Sequence, residues 1–233
     1  MSKNSGGYMG VQVGKLGPAI GSMWKGRNVF RAYNPFVKNP RTEKQQLNRA
    51  VFKTLTELAS AFAQASNHGY KRLAYSLRTT TRGLFMRDNK AAVHANSVES
   101  VTVDYAELKI SDGELPNVQF GAPHFDDPQT VQVAWETNEE VAGADLADIV
   151  GVFVYCPDAK CGVMAPLMGQ NAAKRDDKTI AVLVPAYWSG MKVHVWGFCK
   201  TAVEEPTYID ALGGYVYPNQ CSDSVYVGTG NIG

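Results

Sequence analysis

Apolar positions along the chain change their spacing part way through. Leu47, Val51, Leu55, Leu58 and Phe62 recur at intervals of four, four, three and four, which places them on one face of a helix. Thr42 is suited to be its N-cap, with Gln45 three residues on as a capping-box partner. Asn67, His68 and Gly69 are suited to end it, Gly69 in the left-handed position after the last turn. Residues 42–66 would make a rod roughly 37 Å long at 1.5 Å per residue, with Lys44, Asn48, Arg49 and Lys53 opening its polar side. A second helix is expected over about 80–96, weakened near its start by Gly83.

After Ser97 the spacing shortens to two. Val98, Val101, Val103, Tyr105, Leu108 and Ile110 fall in short β-prone runs, and Ser111, Asp112 and Gly113 supply a turn. Further runs follow at 118–120, 131–135, 149–155, 163–167, 180–184 and 193–198, with a last strand at 224–227 and longer loops at 146–148 and 204–218. About seven strands in this arrangement predict an Ig-like or fibronectin-like antiparallel β-sandwich. No internal repeat of 20 to 50 residues is visible.

Residues 1–40 fit neither pattern. Seven glycines between positions 6 and 26 raise the entropy cost of ordering, so the segment reads as an extended, glycine-rich arm that is mobile alone. It also carries Met23, Trp24, Val29, Phe30, Tyr33 and Phe36, too many large apolar side chains for a solvated tail. Lys25 and Gly26 sit between two β-prone stretches and are suited to a hairpin turn, with Trp24 on one strand and Val29 on the other. The fold class predicted is α+β in three parts: a basic arm (1–40), a basic helical segment (41–97) and an acidic Ig-like sandwich (98–233).

Charge sharpens that division. The 233 residues have a formal net charge of +1, yet residues 1–98 hold sixteen Lys and Arg against three acids, and the rest hold seven against nineteen. A positive half needs an anionic partner, either nucleic acid or the negative half of another copy. No apolar run approaches 18 residues, so no membrane insertion is expected. Glycines break up the N-terminal stretch, so no Sec-type signal is indicated. Cys156, Cys161, Cys199 and Cys221 lack a histidine at zinc-finger spacing and read as reduced, mostly buried thiols. A bridge between Cys156 and Cys161, across the turn at 157–160, would need an oxidising compartment.

Several motifs carry a family resemblance. Gly14, Lys15, Gly17, Pro18, Gly21, Trp24, Lys25, Gly26, Arg31, Pro35, Arg41, Thr42, Gln45, Arg49 and Phe52 form an N-terminal signature. Asp104, Tyr105, Leu108, Ile110, Ser111, Gly113, Glu114, Leu115 and Pro116 form a middle strand-and-turn motif, and residues 222–228 a closing strand. Together they resemble a family of unknown function from Bacteroidota and their phages. The resemblance implies a glycine-rich arm, a helical segment and a C-terminal Ig-like domain. It implies no catalytic residues, and the cysteines and the 204–218 loop depart from the pattern.

Candidate chemistry is sparse. His68 reads as a contact at a helix C-terminus, and His194, alternating with Val193 and Val195, as a surface-strand residue pointing away from the core. His124 with Asp126 and Asp127 is short of ligands for a cation. No phosphate-loop, GxSxG or HExxH motif occurs, so neither an enzyme nor a cofactor is expected. The arm is the sharper feature, with Trp24, Phe30, Tyr33 and Phe36 interleaved among Lys25, Arg27, Arg31 and Lys38, and with Arg41 and Arg49 just beyond. This composition serves single-stranded nucleic acid, or a protein interface with aromatic and Arg anchors. The acidic half favours the interface, because its field repels nucleic acid but complements the basic half of a neighbour.

The function expected is therefore a non-enzymatic structural subunit that self-assembles through arm and helices. A bacteriophage virion or tail component is the specific expectation, made in the host cytoplasm and in contact with other virion proteins. The alternatives are a cytoplasmic nucleic-acid-binding protein, and a cell-surface or carbohydrate-binding Ig-like adhesin using Tyr187, Trp188, Tyr208 and Tyr215.

Overall fold

The computed structural model describes residues 3–5, 10–36, 41–137, 143–202, 207–209, 214–216 and 221–233. The chain divides into two compact units, Met1–Gln45 and Gln46–Gly233.

The first unit is a meander. Strands β1 (Lys3–Ser5), β2 (Val11–Leu16), β3 (Ala19–Trp24) and β4 (Arg27–Ala32) each pair antiparallel with the next. The expected extended arm is corrected here, because two of its glycines close tight turns. Gly17 and Pro18 join β2 to β3 with Leu16 opposite Ala19, and Gly17 has φ +55°. Lys25 and Gly26 join β3 to β4 with Trp24 opposite Arg27, at φ 45° and 78°. Left-handed backbone at both central positions marks a type I′ turn, whose twist matches that of the flanking strands. The hairpin anticipated at this dipeptide is therefore formed. Lys38 and the rest of 37–40 lie outside the described residues.

Helices α1 (Glu43–Ala61), α2 (Ala63–Gly69), α3 (Lys71–Ser76) and α4 (Thr81–Asp88) come next. Thr42 Oγ1 accepts from the Gln45 amide at 3.4 Å, so the expected N-cap is present. Helix α2 does end at Gly69, but Gly69 is its last helical residue and not in the left-handed conformation expected of it. Backbone bonds of helical spacing cross both junctions, from Phe62 N to Leu58 O (2.8 Å) and from Tyr70 N to Ser66 O (3.0 Å), and carry the chain into α3. Gly69 is required for a different reason: a Cβ there would strike the carbonyl of Ile110 and the side chain of Ser111, which cross over it. Thr80 caps α4, its hydroxyl accepting from Gly83 N at 3.1 Å. The second helix thus ends well short of residue 96. Asn89 stops it by donating to Phe85 O and Lys109 O and accepting from Lys109 N, all within 2.9 Å.

The strands that follow are β5 (Val93–Ala95), β6 (Val101–Val103), β7 (Gln119–Phe120), β8 (His124–Asp127), β9 (Thr130–Glu136), β10 (Ile149–Cys156), β11 (Cys161–Met164), β12 (Thr179–Leu183), β13 (Lys192–Lys200), β14 (Thr207–Ile209), β15 (Gly214–Val216) and β16 (Val225–Asn231). One sheet has the order β11-β10-β13-β16, and a second has β12-β9-β7 with β8 also on β9. Strands β5 and β6 form a separate hairpin, as do β14 and β15 inside the expected long loop. All pairings are antiparallel, and the fold is α+β, compatible with a β-sandwich.

Alternation along β10 and β13 assigns their side chains to two cores. Val152, Val154, Val193 and Val195 meet Val131, Val133 and Val182 of the second sheet, with Trp188 fully buried beside them. From the other face, Phe153, Tyr155, Trp196 and Phe198 meet Leu55, Leu58, Phe62, Leu84 and Phe85 of the helices. The Phe62 ring centre lies 4.9 Å from Phe153, 4.8 Å from Tyr155, 5.2 Å from Trp196 and 5.5 Å from Phe85. Helices and strands consequently share one core, and the division drawn at residues 97 and 98 does not separate two packed units. A third cluster joins Leu115, Val118, Trp135, Val150, Ala173 and Cys199.

Candidate interaction surface

The register of the first unit sorts its side chains by face. Lys15, Ile20 and Arg31 stand in one cross-strand row, Ser22 and Val29 in the next, and Trp24 and Arg27 in a third of the same parity. Tyr33, two residues beyond Arg31, belongs with them: Lys15 Nζ sits 3.8 Å from its ring centre, and its amide donates to Pro18 O at 2.6 Å. One face is therefore cationic and aromatic. The opposite face carries Leu16, Met23 and Phe30 over Gly14, Ala19, Gly21 and Ala32. The Phe30 ring fills the space above Gly21, where a Cβ would come within 3.2 Å of it. Both faces are exposed, with Trp24 at 56% and Phe30 at 53% of full accessibility.

The sequence-predicted residues are thus only partly brought together. Trp24, Arg27, Arg31 and Tyr33 share the cationic face, Phe30 lies on the other, and Lys25 forms the turn. Phe36, 84% exposed, follows β4, while Arg41 precedes α1 and Arg49 lies on it, both exposed. Lys15 is a further member that attention to aromatic neighbours missed, and its signal is the register set by the Gly17-Pro18 turn. The first 42 residues hold seven basic residues and no acid.

Other candidates change character. His194 is buried, not on the surface: its Nδ1 is hydrogen-bonded to the Tyr226 hydroxyl at 2.8 Å and its ring stacks on Tyr105 at 4.2 Å. Burial, helped by nearby Lys192, pushes its pKa down to about 4. It does point away from the core between the sheets, but the helices build a second core on that side. Trp188 is likewise fully buried, Tyr187 is exposed, and the side chains of Tyr208 and Tyr215 lie outside the described residues. His124 is exposed on β8, and no cluster of three or more His, Cys, Asp or Glu suited to a metal occurs among the described residues.

All four thiols are free, and burial pushes that of Cys221 up to about 11. Cys156 and Cys161 are opposite each other across the β10–β11 hairpin. Arg175 and Asp148 form a buried pair at 3.1 Å, and Arg175 also donates to Pro116 O. An open groove of about 790 Å³ runs past Thr56, Ser60, Val101, Tyr105, Tyr155 and Lys160. No helix among the described residues is long and apolar enough to cross a membrane.

These features define an α+β protein of antiparallel sheets that displays a small basic sheet. The chain belongs to a family of unknown function, DUF6266, whose model matches residues 11–207, from β2 to the first residue of β14. No curated protein and no solved structure matches it.

Proposed function

We propose that this protein is a non-enzymatic structural subunit that assembles with copies of itself. Following the resemblance in its N-terminal signature, it is a component of a bacteriophage virion or tail, in contact with other virion proteins. The observation that carries the reading is a β-sheet with large apolar side chains exposed on both faces. Such a sheet leaves large apolar side chains uncovered on both faces, and burying them against a neighbouring copy is favourable. An Ig-like body is supported by the strand order: β12-β9-β7, with β8 also on β9, faces β11-β10-β13-β16, much as in the two-sheet packing of Ig-type sandwiches. Mass measured by light scattering on the full chain should exceed that of a monomer and rise with concentration. A monomer at every concentration would remove the proposal.

A second reading has its own support. Trp24 and Tyr33 share a face with Lys15, Arg27 and Arg31, the pairing of ring faces and cations that single strands use. It predicts affinity for single-stranded DNA that falls with salt, with a slope of about −0.7 per phosphate neutralised. Absence of binding in 50 mM salt, ~0.05 M as used for such titrations, would remove it. The adhesin reading loses support with the burial of Trp188.

A further inference from the structure

Resting on the self-assembly proposed above, we infer that subunits join head to tail: the cationic face of one copy's N-terminal sheet docks on the acidic second unit of the next copy. The contact surface is formed by Lys15, Trp24, Arg27, Val29, Arg31 and Tyr33. Neither Arg27 nor Arg31 forms an ion pair among the described residues.

Symmetry argues against a contact between two such sheets. Strand β4 is the edge of its sheet and is exposed throughout. A two-fold axis normal to the sheet would extend it by pairing β4 with its own copy, and directly opposite residues would then share a face. Of the two registers of greatest overlap, the one centred on Val29 sets Arg27 of each copy against Arg31 of the other, while the one centred on Phe30 sets Arg31 against Val29. Like charges directly opposite are destabilising, and cations on an edge strand are a recognised guard against this pairing. Stacking cationic face on cationic face meets the same repulsion. Face-to-face stacking and the edge pairing centred on Val29 are thus both disfavoured.

The complementary sign is on the same chain. Residues 1–45 carry eight basic residues and one acid, leaving fifteen basic and twenty-one acidic residues in 46–233. Asp126, Asp127, Asp158, Asp176 and Asp177 are all exposed there. A basic head meeting an acidic body uses two different surfaces, so each addition leaves one head and one body free. Such heterologous contacts propagate into rings or open filaments, whereas isologous ones stop at dimers. Apolar Trp24 and Val29 between the cations give the contact a desolvated centre, as interfaces with aromatic and Arg anchors require.

The test uses full-length chains. The triple variant Lys15→Glu, Arg27→Glu, Arg31→Glu alters only one face of the sheet and should be monomeric where the wild type assembles. Added in equal amount to wild type, it should lower the mean mass, because it accepts a head but offers none. Raising NaCl should dissociate wild-type assemblies, a measurement that needs no variant. A salt-independent wild-type mass, a variant that assembles like wild type, or a wild-type mass unmoved by the variant would overturn head-to-tail docking while leaving self-assembly standing. Loss of single-stranded DNA retention in the variant with unchanged assembly would assign the face to nucleic acid instead. A wild type that is monomeric in all conditions would overturn the self-assembly reading itself.

Discussion

His194 stands between the Tyr226 hydroxyl and the Tyr105 ring with Lys192 close by, and burial holds it neutral. An unfolded histidine titrates near 6.5, roughly the usual reference value. Above that pH both states are neutral and His194 contributes no slope. Below it the unfolded chain takes up the proton first, so stability should fall from about pH 6.5 and level off near pH 4, by at most roughly 3 kcal/mol. His194→Gln should flatten that part of the profile, read as the difference between urea midpoints at about pH 7.5, above the window, and about pH 4.5, near its lower end. The alternation of valines hides this residue from sequence reading, since period two says which face a side chain is on but not whether the face is covered. The near-continuous apolar runs of β10 and β13 are the available signal of cover on both sides. Gly162 makes a second case: a Cβ there would overlap the Phe153 ring, so Gly162→Ala should cost about 1–3 kcal/mol in urea unfolding.

At the level of elements, helix docking depends on one side chain more than on any cap. Phe62 is fully buried and touches rings on α4, β10 and β13, so Phe62→Ala should cost about 3–5 kcal/mol and weaken the near-ultraviolet circular dichroism. Its place on the apolar stripe is legible in the sequence. The need for a glycine at 69 is not, because the close contact with Ile110 and Ser111 comes from residues about forty positions away. The loop before β10 depends on Asp148, whose carboxylate meets Arg175 and accepts from Asp145 N at 3.1 Å. Asp148→Ala strands a buried guanidinium and should cost about 3–5 kcal/mol, whereas Asp148→Leu with Arg175→Met should recover most of that in the same denaturation assay. Neither partner is marked by local sequence, since 27 residues separate them.

For the whole molecule, the composition shift near residue 98 is real but is not a boundary of packing. Helices rich in Lys and Arg on their exposed side lie on the same core as the acidic strands, and the compact units meet at 45 and 46 instead. Charge records what faces solvent, so it is a poor guide to which elements share an interior. The positions of β7, β9 to β13 and β16 were legible because turn residues separate them, whereas β8, the β14–β15 hairpin and the order of strands within each sheet were not. The N-terminal meander was half legible: its hairpin was readable at Lys25-Gly26, but the entropy of its glycines outweighed their role in turns. Hydrogen exchange should follow the layers. Amides of β10 and β13, covered on both faces, should exchange last, and those of edge strand β4 among the first. Equal protection across the two would show that the first unit is far better sheltered than its exposure implies.

The four tryptophans are distributed so that each reports on a different place: Trp24 on the exposed basic sheet, Trp135 in the small third cluster, Trp188 between the two sheets and Trp196 beneath the helices. Variants keeping a single indole would give emission of separate origin, red-shifted and open to iodide quenching for Trp24, blue-shifted and shielded for Trp188 and Trp196. Docking of a neighbour on the sheet would then be visible as a blue shift of Trp24 alone, with the three interior lights unchanged.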